Sequence, residues 1–565
     1  MISQVSTNIL ASKLDSASYY VPNELGAQGG GVVAMGSSTD KQFVIDASKS
    51  KTKNLYFIGP YGSRVSFASQ QRRVLNLIWA IRENGDWPKK EQPRAIVVGA
   101  GIAGVMAAAA LRLQGCSVWL FEKFHAELEI QRDAAHRLVH PTINFWPEQP
   151  LSWTTAFPFL DWYAAPCEEI IRTINRQWIT NFKPHVANRN FDKDLAAFDQ
   201  AADGERVELR FKDDANVYSA DIVFVTTGFG SEKTLNDPEW RSYWEGDSTD
   251  KWARDPKKRF AVSGTGDGGL IDALRLTYEE FMTEEIALKF LLKVDPQPAF
   301  GEPLPVDYVS SVRQRVIKIE KDAAAISNLD TRAIFYDKEY TDFALDQDQS
   351  AKDLLEWSDK KRPILLIGER VRPYDIGAAP VHKILIALSI AAKRIEYMQG
   401  EVSRDATTGV YKIKNSAPDP VVLEADHVIV RHGAVPPIVN LLDPDALAHI
   451  IAEQRKLGDF IYLDGFDERK YFDNTNIAPG RTKAAADFRR QRSDLARDFL
   501  ERRFAVGFRE PMNDPFPGFE VIDNRSRDEA DQWAFGPIPN SVFGIPLRRS
   551  VDTETIVDPL VRPAQ

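Results

Sequence analysis

The stretch Ala95-Ile-Val-Val-Gly99-Ala-Gly101-Ile-Ala-Gly104 decides how the chain is read. Ala95–Val98 is apolar throughout, as in a buried strand. Three glycines then follow in the pattern G-x-G-x-x-G, and Ala103–Gln114 continues as a helix. Gly99 permits the tight turn, Gly101 lets the backbone approach a pyrophosphate, and Gly104 lets the helix pack closely on the strand. Ala108 repeats the small-residue requirement one turn later, and Gly115 closes the helix. Ser117–Phe121 is the next strand, and Glu122 ends it. An acid at this spacing accepts hydrogen bonds from a ribose and repels a 2′-phosphate. The pyrophosphate is expected at the helix N-terminus, among Ala100, Ile102 and Ala103, with Lys123 beside the acid. A glycine turn can also exist without a ligand; the flanking strand, helix and acid set this one apart.

Working outward, the chain has 565 residues, which predicts roughly three to four domains at about 150 residues each. Hydrophobic residues are 43% and charged residues 27%, an ordinary globular composition that excludes bulk disorder and collagen. The net charge of −10 argues against a whole-chain nucleic-acid binder. Cys116 and Cys167 cannot build a disulfide framework or a cysteine-rich metal site, and such sparse usage suits the cytoplasm. No metal site is expected. Met1–Asp15 lacks a signal-peptide pattern. The most apolar run, Ile96–Leu111, is shorter than the ~20 residues that span a bilayer, so no membrane partner is expected. The expected partner is a small-molecule substrate; a homo-oligomer or a protein partner stays open.

Residues 1–50 read as loop-rich, with glycine- and serine-rich runs at Gly26–Gly31 and Gly36–Thr39. Order is expected from Leu55-Tyr-Phe-Ile-Gly59, a strand ending in a Gly-Pro-Tyr-Gly turn. An amphipathic helix follows over Val65–Arg82. Its polar entry, Arg64–Arg73, suits a phosphate, a partner or a solvated face. Strands alternating with helices predict an α/β fold: a Rossmann-like nucleotide-binding domain over 51–230, a second nucleotide-binding-like domain over 255–440, and helical additions. Paired strands are expected at Arg206–Phe211 and Val217–Thr226, and one long helix at Val381–Tyr397. Residues 441–565 read as mostly helical and irregular, with a charged surface helix at Asp487–Arg503. No repeat of 20–50 residues is visible.

The Gly99–Glu122 unit resembles the FAD-binding fingerprint of flavoprotein oxidoreductases with two dinucleotide-binding domains. Ala220-Asp-Ile-Val-Phe-Val-Thr-Thr-Gly228 is similar to their A-D-x-V-I-x-A-T-G segment, with Thr226 in place of the alanine. The resemblance implies FAD as cofactor, with Thr227 and Gly228 near it. Ala425-Asp-His-Val-Ile-Val-Arg-His-Gly433 looks like a second copy in which Arg431-His432 replaces Ala-Thr. Gly264-Thr-Gly266-Asp-Gly-Gly269 again fits G-x-G-x-x-G. It is read as the pyrophosphate site of NADPH or NADH, as a degenerate half-site, or as a packing turn. Lys257, Lys258 and Arg259 upstream suit either a phosphate or a solvated face. No short strand ending in an acid follows at the usual distance, which leans towards NADPH and also fits no nicotinamide at all. Ile364-Leu-Leu-Ile-Gly368-Glu369 resembles the family's late hydrophobic-Gly-Asp segment, which implies Glu369 near the FAD ribityl chain.

FAD carries redox chemistry itself, so no protein nucleophile is required. Arg137 and His140 are the catalytic candidates, His140 as a proton donor titrating near neutrality. Trp146, Trp153, Phe157, Phe159, Trp162 and Tyr163 wall an apolar pocket or sit in the core, the commoner fate. The two cysteines lack the C-x-x-C spacing of disulfide reductases, and F-x-G-x-x-x-H-x-x-x-W of Baeyer–Villiger monooxygenases occurs at none of the eight histidines. The expectation is an FAD-dependent oxidoreductase reduced by NAD(P)H and acting on a small organic substrate or O2. The alternative is a non-catalytic scaffold or redox sensor.

Overall fold

A computed structural model describes residues 38–59, 61, 64–149, 151–152, 154–155, 157–232, 234–235, 241–245, 259–278, 283–295, 311–347, 363–405, 407–416, 422–457, 463, 466–473, 541–542 and 545–546. Trp153, Lys257, Lys258, the run Gly26–Gly31 and the helix expected at Asp487–Arg503 lie outside these residues.

The first half begins with helix α1 (Ser38–Asp46), strand β1 (Leu55–Phe57) and helix α2 (Phe67–Glu83). The glycine unit follows as β2 (Arg94–Val98), α3 (Ile102–Leu113) and β3 (Ser117–Phe121). Next come β4 (Leu138–Val139), β5 (Ala165–Pro166), α4 (Cys167–Asn181) and β6 (Asn188–Asn190). The half ends with β7 (Leu195–Gln200), β8 (Val207–Phe211), β9 (Val217–Ala220) and β10 (Ile222–Val225). Five strands form one parallel sheet in the order β1-β10-β2-β3-β6. Ile96, Val97 and Val98 are buried, as are Val223, Phe224 and Val225 on β10, the continuous apolar pattern of a parallel sheet covered on both faces.

Three expectations change here. Residues 38–46 are helical, because Val44 and Ile45 bury against α2. Val217–Thr226 is two strands on different sheets: β9 belongs to the antiparallel sheet β7-β8-β9 and β10 to the parallel one. Asp221 makes the break, accepting from Arg94 N at 2.8 Å and so tying β10 to the start of β2. The polar entry to α2 is spent internally. Ser66 and Ser69 form a reciprocal cap, Gln70 and Arg73 donate to Gly59 O, and Arg72 pairs with Glu468.

The second half contains β11 (Ser231–Glu232), β12 (Phe260–Ser263) and α5 (Asp267–Thr277). Helices α6 (Thr283–Val294), α7 (Ser311–Ala324) and α8 (Leu329–Leu345) precede β13 (Ile364–Gly368). Then follow α9 (Pro380–Ala391), β14 (Ile395–Arg404), β15 (Tyr411–Asn415), β16 (Val422–Glu424), β17 (His427–Val430) and β18 (Ala434–Val435). Strands β17-β12-β13-β14 are parallel, and β14-β15-β16 form an antiparallel meander. The helix expected to run to Tyr397 stops at Ala391. Lys393 turns the chain at φ 58°, and Ile395–Tyr397 opens β14.

The halves repeat each other's plan. Asp426 accepts from Arg259 N at 2.8 Å, as Asp221 does from Arg94 N. The aspartate of each Ala-Asp-x-Val segment therefore fixes its strand to the strand that leads into a glycine turn. Helices α10 (Pro444–Leu457) and α11 (Glu468–Asp473) return to the first half. Phe466 stacks on Trp79, Phe472 meets Phe159, and Gln454 donates to Phe57 O. Among the described residues, no helix is long and apolar enough to cross a membrane.

Candidate functional site

Both glycine turns open onto one cleft of about 1020 Å³. In the first, Gly99 has φ 98°, a conformation that L side chains resist, and a Cβ there would lie 2.7 Å from Thr226 O. A Cβ on Gly104 would lie 1.8 Å from Gly99 O. The second turn matches: Gly264 has φ 127°, and a Cβ on Gly269 would lie 2.0 Å from Gly264 O. These four glycines are required by the protein's own packing.

Gly101 and Gly266 are different. Their φ values are −73° and −70°, which any residue adopts, and a Cβ on either would meet nothing within 4 Å. Each caps its helix N-terminus, where unpaired N–H groups favour an anion. The space a side chain would fill is the cleft. The protein alone gives no steric reason for glycine at either position.

Of the residues expected at the site, Gly99, Gly101, Ile102, Ala103, Glu122, Lys123, Thr227 and Gly228 line the cleft from the first half. Gly264, Gly266, Gly269 and Glu369 line it from the second. Ala100 lies beneath the turn, and its N–H donates to Glu122 Oε2 at 2.5 Å. Glu122 Oε1 accepts from Phe124 N at 3.0 Å. Burial raises the Glu122 pKa, opposed by the Ala100, Phe124 and Lys123 N–H groups and the Lys123 charge. Thr226 adds what alanine cannot. Its hydroxyl lies 2.9 Å from both Val98 O and Gly99 O, bracing the first turn.

The structure places the two catalytic candidates differently. Arg137 is fully buried, its Nη1 2.6 Å from Asp272 Oδ1 and its guanidinium 3.7 Å from the centre of the Tyr243 ring. It joins Arg275 and Arg431 around the same carboxylate, at 2.7 and 2.8 Å. Burial would raise the Asp272 pKa, but the three guanidiniums hold it well below the usual carboxylate range. Arg431, which stands where the flavoprotein segment it was likened to has alanine, is thus a charge partner at the junction of the halves. His140 does line the cleft. Its Nδ1 accepts from Thr142 N and Ile143 N, both at 3.1 Å, and burial lowers its pKa to about 3. It is neutral at physiological pH and does not titrate near neutrality.

Trp146, Phe157, Phe159, Trp162 and Tyr163 take the commoner of their two expected fates: all are buried in the core. The cleft's aromatic lining comes from Phe67, Phe124, Phe229, Tyr243 and Trp244, with Phe67 and Trp244 stacked at 5.2 Å. They come from four separate stretches of the chain, Tyr243 and Trp244 being adjacent. Residues 97–149 match the family of NAD(P)-binding Rossmann-like domains. That domain covers β2's end, α3, β3 and the segment behind Glu122.

Among solved structures, the bacillithiol disulfide reductase of Staphylococcus aureus is 11% identical with a TM-score of 0.36, over 62% of this chain and 79% of that one. The T. acidophilum thioredoxin reductase is 15% identical with a TM-score of 0.32, over 62% and 80%. A cyclohexanone monooxygenase mutant from Rhodococcus sp. Phi1, bound to NADP+, is 16% identical with a TM-score of 0.31, over 62% and 74%. No curated protein matches the chain.

Glu369 follows β13, which pairs with β12, so it stands beside the second glycine turn, in the cleft that both turns share. Gly99 N donates to Phe121 O and Gly264 N to Ile367 O, so Gly368 stands where Glu122 stands in the first half. The missing second strand is therefore present, separated from α5 in sequence by α6, α7 and α8. A Cβ on Gly368 would lie 2.5 Å from Thr265 Cγ2 and 2.9 Å from Tyr397 Oη, so an acid does not fit there. Arg370, two residues on, lines the cleft.

Proposed function

We propose that the chain is an FAD-dependent oxidoreductase that takes electrons from NADPH and passes them to a small organic substrate or O2. The carrying observation is the pair Gly101 and Gly266. Two helix N-termini face one cleft, each with a side-chain-sized space that the protein leaves open.

FAD, when bound, supplies the redox chemistry. The first turn suits it: the α3 N-terminus would hold the diphosphate, Glu122 would accept from a ribose, and Thr227 and Gly228 border the same space. The second turn suits the nicotinamide nucleotide. Gly368 carries no acid at the position matched to Glu122, although Glu369 follows it, and Arg370, 3.6 Å from Asp375 Oδ2, brings a cation to the same strand end; the cation favours NADPH. Phe67, Tyr243 and Trp244 shield the cleft from water. His140, neutral and held by two backbone N–H groups, shapes the wall and does not cycle a proton.

A binding-only reading draws on that last point, since neither Arg137 nor His140 supplies an acid–base group. One experiment separates the two. Purified protein is expected to carry flavin absorbance that bleaches with NADPH under anaerobic conditions. Flavin that persists with every donor supports the scaffold, and colourless protein that takes up no FAD refutes the assignment of the first turn.

A further inference from the structure

The second glycine turn carries an acid where the first has Ile102. Asp267 is the first residue of α5, directly after the open Gly266, and it lines the cleft. A carboxylate there repels the diphosphate that the helix N-terminus would attract.

The structure shows where this charge is held. Asp267 Oδ1 accepts from His382 Nδ1 at 2.6 Å and from Ala379 N at 3.2 Å. Both donors lie at the start of α9, with Ala379 its N-cap residue and His382 fully buried. The carboxylate is drawn across to the N-terminus of a neighbouring helix, which favours negative charge. Burial would raise the Asp267 pKa, but His382, the Ala379 N–H and the Arg64 charge outweigh it, so the acid is ionised. Arg64 and the neighbouring Lys383 are shared with other acids, and Asp375 in the same cleft lies 3.6 Å from Arg370. Lys383 Nζ is 2.7 Å from Glu320 Oε1, and Arg64 pairs with Glu148 at 2.8 Å and lies 3.8 Å from Glu320.

We propose that His382 is a positioning residue for the dinucleotide at the second turn: it holds the Asp267 carboxylate against α9 and so clears the α5 N-terminus for the diphosphate. The proposal rests on the assignment of that turn to a nicotinamide nucleotide. It adds a specific dependence of nucleotide affinity on a buried residue that itself stays behind Asp267.

The test uses the full-length, flavin-loaded protein and calorimetric titration with NADP+. His382→Ala is expected to weaken NADP+ binding about tenfold or more, by releasing the charge towards the ligand. Flavin content should be unchanged. Adding Asp267→Asn to His382→Ala should restore affinity to within about threefold of the parent, because the charge is gone. His382→Asn, which keeps a donor, should recover part of the loss if His382→Ala proves poorly folded by thermal melting. Parent-like binding by folded His382→Ala overturns the proposal. So does a double variant no better than His382→Ala, since Asp267 would then matter only as a cap on α9. A parent that binds neither NADP+ nor NAD+ refutes the nucleotide assignment itself, a result separate from either variant outcome.

Discussion

Asp272 Oδ2 accepts a hydrogen bond from Arg431 Nε at 2.8 Å, joining the helix of the second glycine turn to the Arg-His-Gly turn that ends β17. The contact lies at a junction. Arg137 reaches the same carboxylate from the first half, and Arg431 also reaches Glu232 on β11 at 3.3 Å. One buried acid therefore fixes three cations contributed by both halves.

Asp272→Asn should be strongly destabilising, by about 3–5 kcal/mol, because it leaves buried guanidiniums uncompensated. Urea or thermal denaturation measures it. The pH dependence has a definite sign. The folded pKa is depressed, so the stabilisation is fully present above the unfolded value, near ~3.9, and is lost as pH falls through the lower folded value. The variant should lose part of that acid-limb slope. A variant with parent stability would show that the network contributes little.

His140 gives a second acid-limb prediction of different origin. Its folded pKa of about 3 lies below the ordinary 6.5 because the buried ring disfavours charge. Below pH 6.5 the unfolded chain binds a proton that the folded chain does not, so stability falls as pH drops from 6.5 towards 3. The slope approaches ~1.4 kcal/mol per pH unit for this one group. An NMR titration should find the His140 ring neutral at pH 5. A midpoint near 6.5 would restore it as a proton donor.

The glycines divide into two classes by substitution. Gly101→Ala should leave the ligand-free fold at parent stability, since φ is ordinary and the new methyl meets no neighbour. It should still reduce flavin occupancy, and Gly101→Val more so. Gly99→Ala should destabilise the apoprotein itself by at least ~1–2 kcal/mol, from its left-handed φ and the Thr226 carbonyl. Thermal melts of flavin-stripped protein, read beside flavin absorbance, separate the two effects. Equal flavin content in Gly101→Val and the parent would remove the first turn as the FAD site.

Gly266→Val should abolish reduction by NADPH while FAD stays bound, because the two turns are built on different sheets. Anaerobic reduction kinetics measure this. Loss of FAD in this variant, or reduction as fast as in the parent, would mean that the second turn is wrongly assigned.

Local chemistry made the glycine turns, their strands and the Glu122 position readable from the sequence. Each depends on a few adjacent residues whose backbone needs are absolute, such as Gly99 at φ 98° beside Thr226 O. Both Ala-Asp-x-Val segments were visible for the same reason. What joins distant segments was not visible. Gly368 could be matched to Glu122 only once β13 was seen beside β12, because α6, α7 and α8 separate it from its turn. The fates of Arg137 and His140 were decided by burial. A guanidinium or imidazole carries no mark in sequence of whether Asp272 or a pair of backbone N–H groups awaits it. The sequence determined the two glycine turns, because turns are local. Tertiary structure alone decided that they share one cleft and which charges guard it, because burial and ion pairing depend on segments far apart in the chain.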